Sequence, residues 1–311
     1  MRILVTGGAG FIGSHIAEAA LAAGHEVCVL DNLSSGRREN VPAGARFAEV
    51  DVRDGAAVRA LVEDFRPDAI THQAAQASVA VSMREPLLDA SVNLIGSLNI
   101  LEACRACGVK RFVFASTGGA IYGEVPEGQT ANEATQPAPM SPYAASKLAV
   151  EGYLATYASL GVQSTVLRYA NVYGPRQDPH GEAGVVAIFA QRLIAGEGVR
   201  IYARQTPGDG GCVRDYVFVG EVVRANLAAL EGRLSYTVVN VGTGIPTTTA
   251  QLLATMQARL GTSVIPEQAG LREGDLQRSL LSPARFRETL GDITPLHEGL
   301  GATVEWFRVR G

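Results

Sequence analysis

Short, nearly continuous apolar runs alternate with longer amphipathic stretches through the first half of the chain. Runs rich in branched apolar residues are typical of strands that are buried on both faces. Six such runs are predicted as strands: RILVTG (2–7), EVCVLD (26–31), ARFAEVDV (45–52), DAITHQAA (68–75), RFVFAST (111–117) and QSTVLRYANVYG (163–174), the fourth and the sixth running on into loops.

The stretches between these runs carry apolar residues at helical spacing. They predict helices over 11–24, 54–65 and 86–108, and a further helix that begins at Ser141. Strands that alternate with helices indicate an α/β fold, a Rossmann-type doubly wound parallel sheet with right-handed crossovers. Ligands of such sheets bind beyond the carboxyl ends of the strands.

After Gly174 the pattern loosens into short elements separated by turns rich in glycine and proline. Helical spacing recurs in AIFAQRLIAG (187–196), EVVRANLAAL (221–230) and TTAQLLATMQARLG (248–261). We therefore expect a first domain over 1–170 and a smaller C-terminal α/β lobe over 171–311, with some chain crossing back to the sheet.

The composition of the 311 residues is that of a folded protein, with 47% apolar and 19% charged residues. The net charge is −4 with both signs mixed along the chain, which argues against nucleic acid or an anionic membrane as a partner. We find no apolar run of the length a membrane span needs, and glycines interrupt the apolar start MRILVTGG too early for a signal peptide. These observations predict a cytoplasmic protein.

Four cysteines, at positions 28, 104, 107 and 212, offer little chemistry. Cys104 and Cys107 form a C-x-x-C pair at the end of a predicted helix, and no second pair or histidine cluster completes a zinc site. We interpret all four as structural and predict no metal site, with a redox role of the pair as the alternative.

The loop TGGAGFIG (6–13) follows the first strand and opens the first helix. Gly7 permits a tight turn, Gly10 lets the backbone approach a pyrophosphate, and Gly13 allows close packing of helix on strand. The helix N-terminus then faces the phosphates. Asp31 ends the second strand, where a carboxylate accepts hydrogen bonds from both ribose hydroxyls and repels a 2′-phosphate. The loop therefore predicts dinucleotide binding, and Asp31 favours NAD over NADP.

The stretch SPYAASK (141–147) has two interpretations. Ser141 and Pro142 suit the first positions of a helix, and Tyr143 and Lys147 share a helix face without any need for chemistry. However, only Lys110 and Lys147 among the 27 basic residues are lysines. Arginine is planar and permanently charged whereas lysine is a compact ammonium, so a lysine kept at this position favours a catalytic Tyr/Lys pair.

Four motifs together resemble one enzyme family. The segments TGGAGFIG, FVFASTGGAIYG, SPYAASK and LRYANVYGPR are similar to those of the extended short-chain dehydrogenase/reductase superfamily, and within it to the UDP-glucose (UDP-galactose) 4-epimerases. The resemblance extends nearly end to end. It implies an isomerase that inverts C4 of a UDP-hexose through a transient 4-keto sugar, with Tyr143 as base, Lys147 beside the nicotinamide and Thr117 bonded to the reacting hydroxyl.

The same resemblance implies the ligand contacts. For NAD they are Gly7, Gly10, Phe11, Ile12, Gly13, Asp31, Asn32, Ser34, Ser35, Gly36, Asp51, Val52, Ala74, Ala75, Gln76, Asn93, Tyr143, Lys147 and Ala170. For the UDP-sugar they are Thr117, Asn171, Gly184, Val185, Ile201, Tyr202, Arg214, Arg272, Asp275 and Ser279. The planar donors of Arg214 and Arg272 suit a diphosphate. No metal is implied.

Several relatives of this family remain as alternatives. Sugar-nucleotide dehydratases resemble one another in an acidic residue directly after the threonine, whereas Thr117 is followed by Gly118, Gly119 and Ala120. Epimerase is therefore the better interpretation, with UDP-glucuronate 4-epimerase and a non-catalytic NAD-binding regulator as alternatives.

The resemblance also bears on the choice of sugar and on assembly. Some relatives carry a tyrosine seven residues after the arginine of REGDL, and the small Ser279 at that position leaves room for an N-acetyl group. UDP-GlcNAc and UDP-GalNAc are therefore candidate substrates beside UDP-Glc and UDP-Gal. The family pattern further implies a homodimer through the helix near 86–107 and the Tyr/Lys helix.

Overall fold

The chain folds into two compact units that interleave along the sequence. The computed structural model describes residues 1–180, 184–272 and 276–310. The first unit comprises Met1–Thr117, Pro139–Arg168 and Val223–Val239, and the second comprises Gly118–Ala138, Tyr169–Val222 and Asn240–Gly311. The change of unit after Arg168 lies close to the expected boundary at 170, and the return over Val223–Val239 brings the last eight residues of a 12-residue helix back to the first unit.

The elements are numbered in chain order. The strands are β1 (Arg2–Thr6), β2 (Glu26–Asp31), β3 (Arg46–Glu49), β4 (Ala69–His72), β5 (Arg111–Thr117), β6 (Gln163–Tyr169), β7 (Asn171–Tyr173), β8 (Arg200–Ala203), β9 (Val213–Phe218), β10 (Val238–Val241), β11 (Pro246–Thr248), β12 (Glu267–Leu271) and β13 (Arg278–Ser279). The α-helices are α1 (Phe11–Ala22), α2 (Gly55–Phe65), α3 (Val79–Arg84), α4 (Pro86–Asp89), α5 (Gly96–Cys107), α6 (Gly118–Ile121), α7 (Pro142–Ala158), α8 (Val185–Ile194), α9 (Val219–Leu230), α10 (Thr249–Leu260), α11 (Ala284–Leu290) and α12 (Leu296–Arg310).

The first unit is built on a sheet whose strand order over the described residues is β10-β6-β5-β4-β1-β2-β3. The pairs β1–β2, β1–β4, β2–β3 and β4–β5 are all parallel. The predicted α/β doubly wound fold is confirmed. Because the strands are parallel, the carboxyl ends of β4, β1 and β2 lie side by side, which is where such sheets bind ligands.

Two elements of this unit differ from the prediction. Strand β3 ends at Glu49 rather than at 52, because the Asp51 carboxylate accepts a hydrogen bond from the Arg53 N–H and closes a turn there. The predicted helix over 86–108 contains a π-helical segment, Ala90–Ile95, between α4 and α5. Such segments arise where local side-chain bonding competes with the regular ladder, and they are frequent at functional sites.

The run Pro86–Cys107 is the helical stretch, among the residues described, that is long and apolar enough to cross a membrane by length and composition alone. It also forms part of the protein core. Ile100, Leu101 and Cys104 are fully buried and belong to the same apolar cluster as Val58 and Val62 of α2. Packing against α2 therefore accounts for the apolar residues on this face of the stretch.

The second unit has a core of its own. Strands β11, β9 and β13 form a small sheet to which β7 adds on β9, and β8 pairs with β12. Its apolar cluster gathers side chains from α8, α10 and α12 around β9, including Phe189, Met256 and Leu300. These elements position the residues that the sequence assigns to the UDP-sugar.

Candidate active site

The glycine loop between β1 and α1 leaves no room for side chains. Gly7 has a left-handed φ of 65°, and its N–H donates to the Leu30 carbonyl at 2.8 Å. A Cβ on Gly7 would lie 2.6 Å from the Ala74 nitrogen, and a Cβ on Gly13 would lie 2.2 Å from the Gly7 oxygen. Both glycines are therefore required by backbone contacts between the loop, the strand β4 and the helix α1.

The N-terminus of α1 is suited to an anion. Gly10 is the N-cap and offers no side-chain cap, and the first turn, which includes the predicted contacts Phe11, Ile12 and Gly13, contains no acidic residue. The first N–H groups of a helix have no partner within the helix and carry its positive dipole end. This donor set fits the pyrophosphate of a dinucleotide.

Asp31 at the end of β2 is held by two backbone N–H groups. One carboxylate oxygen accepts from Ala9 at 3.0 Å and the other from Leu33 at 2.8 Å, and the side chain is 7% exposed. Each oxygen keeps a further lone pair, so the carboxylate fits a pair of ribose hydroxyls. Gly36 packs against it so closely that a Cβ there would lie 2.8 Å from Asp31 Oδ1.

The residues that flank Asp31 form a second polar group. The Asn32 amide donates to Asp51 at 2.9 Å, and the Ser34 hydroxyl donates to Asn32 at 2.7 Å, whereas Ser35 is exposed. Hydrogen bonds from Arg53 hold the pKa of the Asp51 carboxyl well below its usual range. Val52, by contrast, is buried in the core, so a cofactor contact from this position would come from its backbone.

The loop after β4 is fixed to the π-helical segment. The Asn93 amide accepts from the Gln76 N–H and donates to the Gln76 carbonyl, both at 2.9 Å, and it also donates to Asp89 at 2.9 Å. Gln76 itself donates to the same Asp89 oxygen at 3.0 Å. The predicted contacts Ala74, Ala75 and Gln76 thus lie on a loop whose backbone is held by Asn93. The other Asp89 oxygen is buried and has no hydrogen-bond partner among the residues described.

His72, at the end of β4, belongs to a directed chain of hydrogen bonds. Thr6 Oγ1 accepts from the N–H groups of residues 73 and 74, so its hydrogen points to His72 Nδ1, 2.6 Å away. Ser97 donates to the Asn93 carbonyl and therefore accepts from His72 Nε2 at 3.0 Å. The network assigns the proton to Nε2 of a neutral ring. Burial, with the Lys147 charge adding to it, lowers the pKa of His72 to about 3.

This buried neutral histidine makes stability sensitive to acid. The folded-state pKa of His72 lies below the unfolded value of about 6.5. The contribution of the neutral ring to the free energy of unfolding is therefore complete above that pH and is lost as the pH falls toward the folded-state pKa. Between pH 7 and pH 5 we expect a loss of about 2 kcal/mol from this group. Urea unfolding at both pH values measures the loss. The His72→Asn variant should show a smaller change between them, and an equal change in both proteins would contradict the assignment.

The Tyr/Lys pair lies on the first turns of α7. The Ser141 hydroxyl accepts from the Ala144 N–H, and Pro142 occupies the first turn, so the start of the helix is fixed. Tyr143 is half-buried and forms a hydrogen bond with Thr117, the last residue of β5. Lys147 is buried, and its ammonium donates to the Ala115 carbonyl at 2.8 Å. The structure therefore brings the three predicted catalytic residues together on β5 and α7.

Burial opposes charge on both members of the pair. Loss of solvation raises the pKa of Tyr143 to about 12, against the hydrogen bond from Thr117, which lowers it. Loss of solvation lowers the pKa of Lys147 to about 8, against the nearby carboxylates of Asp89 and Glu151, which raise it. Perturbed pairs of this kind are typical of acid–base sites. The phenol needs added positive charge before it can act as a base near neutral pH.

In the second unit, Asn171, Arg214 and Ser279 lie on neighbouring strands. The Asn171 amide of β7 donates to the Asp215 carbonyl at 3.2 Å, directly after Arg214 on β9. Ser279 on β13 is in register with Arg214 and is 2% exposed. Asp215 is buried and accepts from Thr243 and from the N–H groups of residues 244 and 281, so it ties these strands to the loop after β10.

The other predicted substrate residues of this unit form a second group. Tyr202 on β8 is 37% exposed, and the Arg272 guanidinium lies 5.4 Å from the centre of its ring. Ile201 is 2% exposed, so it can reach a ligand only through its backbone. Gly184 is the N-cap of α8, whose first residue is Val185. Asp275 lies outside the described residues.

Some functional candidates were not predicted from sequence. Asp89 and Glu151 face Lys147, His72 supports the loop after β4, and Asp215 organises the strands around Arg214. The spacing of Glu151, one turn after Lys147 on the same helix, is a signal that could have identified it. Ala170, the remaining cofactor prediction, lies between β6 and β7 and donates to the Val241 carbonyl.

Known proteins with similar sequences and structures show the family to which this chain belongs. The sequence profile of the NAD dependent epimerase/dehydratase family matches residues 3–242. The UDP-glucose 4-epimerase of Mycolicibacterium smegmatis is 45% identical over 316 residues and covers 99% of each chain. A crystal structure of the Thermus thermophilus UDP-glucose 4-epimerase in complex with NAD is 56% identical, with a TM-score of 0.94 over 99% of both chains. The Thermotoga maritima enzyme with UDP-glucose is 48% identical, with a TM-score of 0.93 over 100% of this chain and 99% of that one.

Proposed function

The chain belongs to the NAD dependent epimerase/dehydratase family, and from this premise we propose that it is an NAD-dependent UDP-hexose 4-epimerase that interconverts UDP-glucose and UDP-galactose. The observation that carries the proposal is the pair of bonds between the end of β5 and α7, in which Thr117 bonds to Tyr143 and the Ala115 carbonyl accepts from Lys147. Relatives named UDP-glucose 4-epimerase match it over their full length, which supports this substrate class.

The reaction needs a base at the sugar C4 hydroxyl. As the phenolate, Tyr143 takes the proton of that hydroxyl when hydride leaves C4 and gives it back to the same oxygen when hydride returns, and Thr117 orients the phenol and the hydroxyl by hydrogen bonding. Lys147 keeps a positive charge near the phenol and lowers the cost of its ionisation. NAD, when bound, accepts the hydride from C4, returns it to the opposite face and adds positive charge beside Tyr143.

We assign the NAD contacts to the residues at the carboxyl edge of the sheet. The first turn of α1, after Gly10, would receive the pyrophosphate, and Asp31 would bind the adenine ribose. Two observations support this assignment. The loop has no space for a Cβ at Gly7 or Gly13, and the start of α1 has no side-chain cap. Asn32 and Asp51, which are hydrogen-bonded to each other at 2.9 Å, are assigned to the adenine side on the sequence resemblance.

We assign the UDP-sugar to the second unit. Arg214 and Arg272 supply planar donors for the diphosphate, and Tyr202 presents an exposed aromatic ring beside Arg272 for the base. Asn171 and the start of α8 at Gly184 add donors of the kind that phosphate oxygens accept. Asp275 is assigned here on the sequence resemblance alone.

The residues after Thr117 favour epimerisation over dehydration. A dehydratase needs an acidic group beside the catalytic tyrosine to remove water, whereas here α6 begins with Gly118 and Gly119. Within the family, a chain that keeps the Tyr/Lys pair without this acidic group can return the hydride but has no group at this position for the elimination.

We further propose that N-acetylated sugars are accepted. Ser279 is small, and its place beside Arg214 in the sheet of the second unit puts the residue near the proposed diphosphate site. Separate incubations with UDP-galactose, UDP-GalNAc and UDP-glucuronate, followed by separation of the epimers, test both parts of the proposal. We expect both sugars to be converted. Turnover of UDP-galactose alone would refute the N-acetyl part, and turnover of UDP-glucuronate in place of both would favour the uronate alternative.

We also propose a cytoplasmic homodimer. Large apolar side chains are exposed on the helices that the family resemblance assigns to the interface, with Leu87 85% exposed, Ile95 49% and Tyr153 43%. A second copy of the chain would cover them. Mass measurement by light scattering at micromolar concentration tests this point, with twice the chain mass as the expected result.

A further inference from the structure

Three consecutive residues at the end of β5 are bonded to three successive turns of α7. The Ala115 carbonyl accepts from Lys147 at 2.8 Å, and Thr117 bonds to Tyr143. The Ser116 hydroxyl, between them, donates to Glu151 at 2.6 Å. The helix residues are spaced four apart and so lie on one face of α7. The end of the strand is therefore fixed to the helix at every residue.

Glu151 is held in place from a third element. Arg168 on β6 donates through Nε to one Glu151 oxygen at 3.0 Å and through Nη2 to the other at 2.6 Å. Both side chains are less than a tenth exposed. A bidentate pair of this kind fixes the plane of the carboxylate as well as its position. Because Ser116 donates to one of the same oxygens, the carboxylate joins β5, β6 and α7.

We propose that Glu151 is a positioning residue for the epimerase reaction. Clamped by Arg168, it fixes Ser116 and so holds the end of β5 in the register that presents Thr117 to Tyr143 and the Ala115 carbonyl to Lys147. This inference rests on the proposed function. A displacement on the order of 1 Å at a reacting group lowers rates by about 100-fold, so a register held from residue 116 is sufficient to control the chemistry.

Glu151 also contributes charge to the site. The titratable groups that face Lys147 are Asp89 from α4, His72 from β4, and Tyr143 and Glu151 from α7 itself. Of these, His72 is neutral, and the carboxylates of Asp89 and Glu151 favour the ammonium form of Lys147. Removing the negative charge of Glu151 takes one carboxylate away from Lys147 and leaves the positive charge of Arg168 without the Glu151 carboxylate to oppose it. The pKa of Lys147 then falls, so its ammonium form, which stabilises the Tyr143 phenolate, deprotonates at a lower pH than in the wild-type protein.

The test uses the NAD-loaded enzyme and steady-state epimerisation of UDP-galactose. Glu151→Gln keeps an acceptor for Ser116 and removes the charge, so we expect kcat to fall by about 10- to 100-fold with KM changed by less than about threefold. In a plot of kcat against pH, the decrease on the alkaline side (the alkaline limb) should therefore begin at a lower pH than in the wild type. Ser116→Ala, which removes the bond to β5 and keeps the ion pair, should lower kcat without moving that limb.

The matched control is Tyr157→Phe, on the same helix, which removes a hydrogen bond to Glu102 and leaves the bonds of Ala115, Ser116 and Thr117 to α7 in place. Its kcat should stay within about twofold of wild type. The double variant Glu151→Gln, Arg168→Met removes the positive charge as well, so it should regain stability and the wild-type position of the alkaline limb. Its kcat should stay low, because the bidentate clamp that holds residue 151 against Ser116 is still missing. Three results would overturn the proposal. The first is a Glu151→Gln rate equal to that of Tyr157→Phe, and the second is a double variant that recovers its rate together with its stability. If neither Glu151 variant folds, the third is a Ser116→Ala rate equal to that of the wild type.

One further variant separates this inference from the proposed function. If the wild-type protein epimerises no UDP-sugar, or if Tyr143→Phe keeps its rate, the proposed function fails whatever is found at position 151. If Tyr143→Phe is inactive while Glu151→Gln and Ser116→Ala match the control, the proposed function stands and the positioning role of Glu151 is refuted.

Discussion

Tyr143→Phe is expected to lower kcat for UDP-galactose epimerisation by about 1,000-fold, with little change in the affinity for NAD. The substitution removes only the phenolic oxygen that Thr117 bonds and that the C4 hydroxyl would meet. The ring and its packing on α7 stay. A loss confined to kcat is the signature of a group that acts in the transition state.

The control for this prediction is again a tyrosine-to-phenylalanine change on the same helix. Tyr157→Phe loses a part-buried hydrogen bond to Glu102 and should keep near wild-type kcat. A Tyr143→Phe protein that retained full epimerase activity would contradict the base assignment. A wild-type protein that bound NAD but turned over no sugar in the same assay would favour the non-catalytic regulator.

Gly13→Ala is expected to abolish NAD binding and to lower the melting temperature. The new Cβ would lie 2.2 Å from the Gly7 oxygen and 2.9 Å from the Gly8 Cα. These are backbone atoms that cannot rotate away, so the glycine loop or the start of α1 must move. Overpacking of this kind typically costs about 1–3 kcal/mol, and it displaces the helix N-terminus proposed to face the pyrophosphate.

Calorimetric titration with NAD and thermal unfolding measure the two effects. Gly152→Ala on α7 is the matched control, because nothing lies within 4 Å of the added Cβ. Alanine is favoured over glycine in a helix by about 1 kcal/mol, so this variant should unfold at an equal or higher temperature and bind NAD normally. Wild-type NAD affinity in Gly13→Ala would show that the loop does not carry the cofactor.

Much of the fold follows from local pattern. The apolar runs at 26–31 and 111–117 are strands with the predicted bounds, because both are buried strands of a parallel sheet whose sequence is apolar along its whole length. Strand β10, Val238–Val241, was not predicted, since four residues give too little periodicity. The sequence also did not predict that Val223–Val239 belongs to the first unit, because the apolar pattern of an amphipathic helix does not indicate which sheet it packs on.

The candidate site also contains some residues that the sequence predicts and others that it does not. Tyr143 and Lys147 were predicted as a pair because one helix turn connects them, and in the structure Tyr143 bonds to Thr117 and Lys147 to the Ala115 carbonyl. Glu151 and Arg168 were not predicted as a pair. Seventeen positions separate them, and the bidentate contact exists only once β6 lies beside β5. The sequence was therefore enough to propose Tyr143 and Lys147 as reacting groups, whereas the residues that hold them became visible only in the tertiary structure.

The most direct test of the account follows a label at the reacting carbon. UDP-galactose that carries deuterium at C4 is incubated with the NAD-loaded protein in ordinary water, and the product is analysed by mass spectrometry and proton NMR. The account predicts UDP-glucose that keeps the deuterium at C4, because the hydride returns to the carbon it left. Loss of deuterium to solvent, a dehydrated 6-deoxy product, or unchanged UDP-galactose would contradict it.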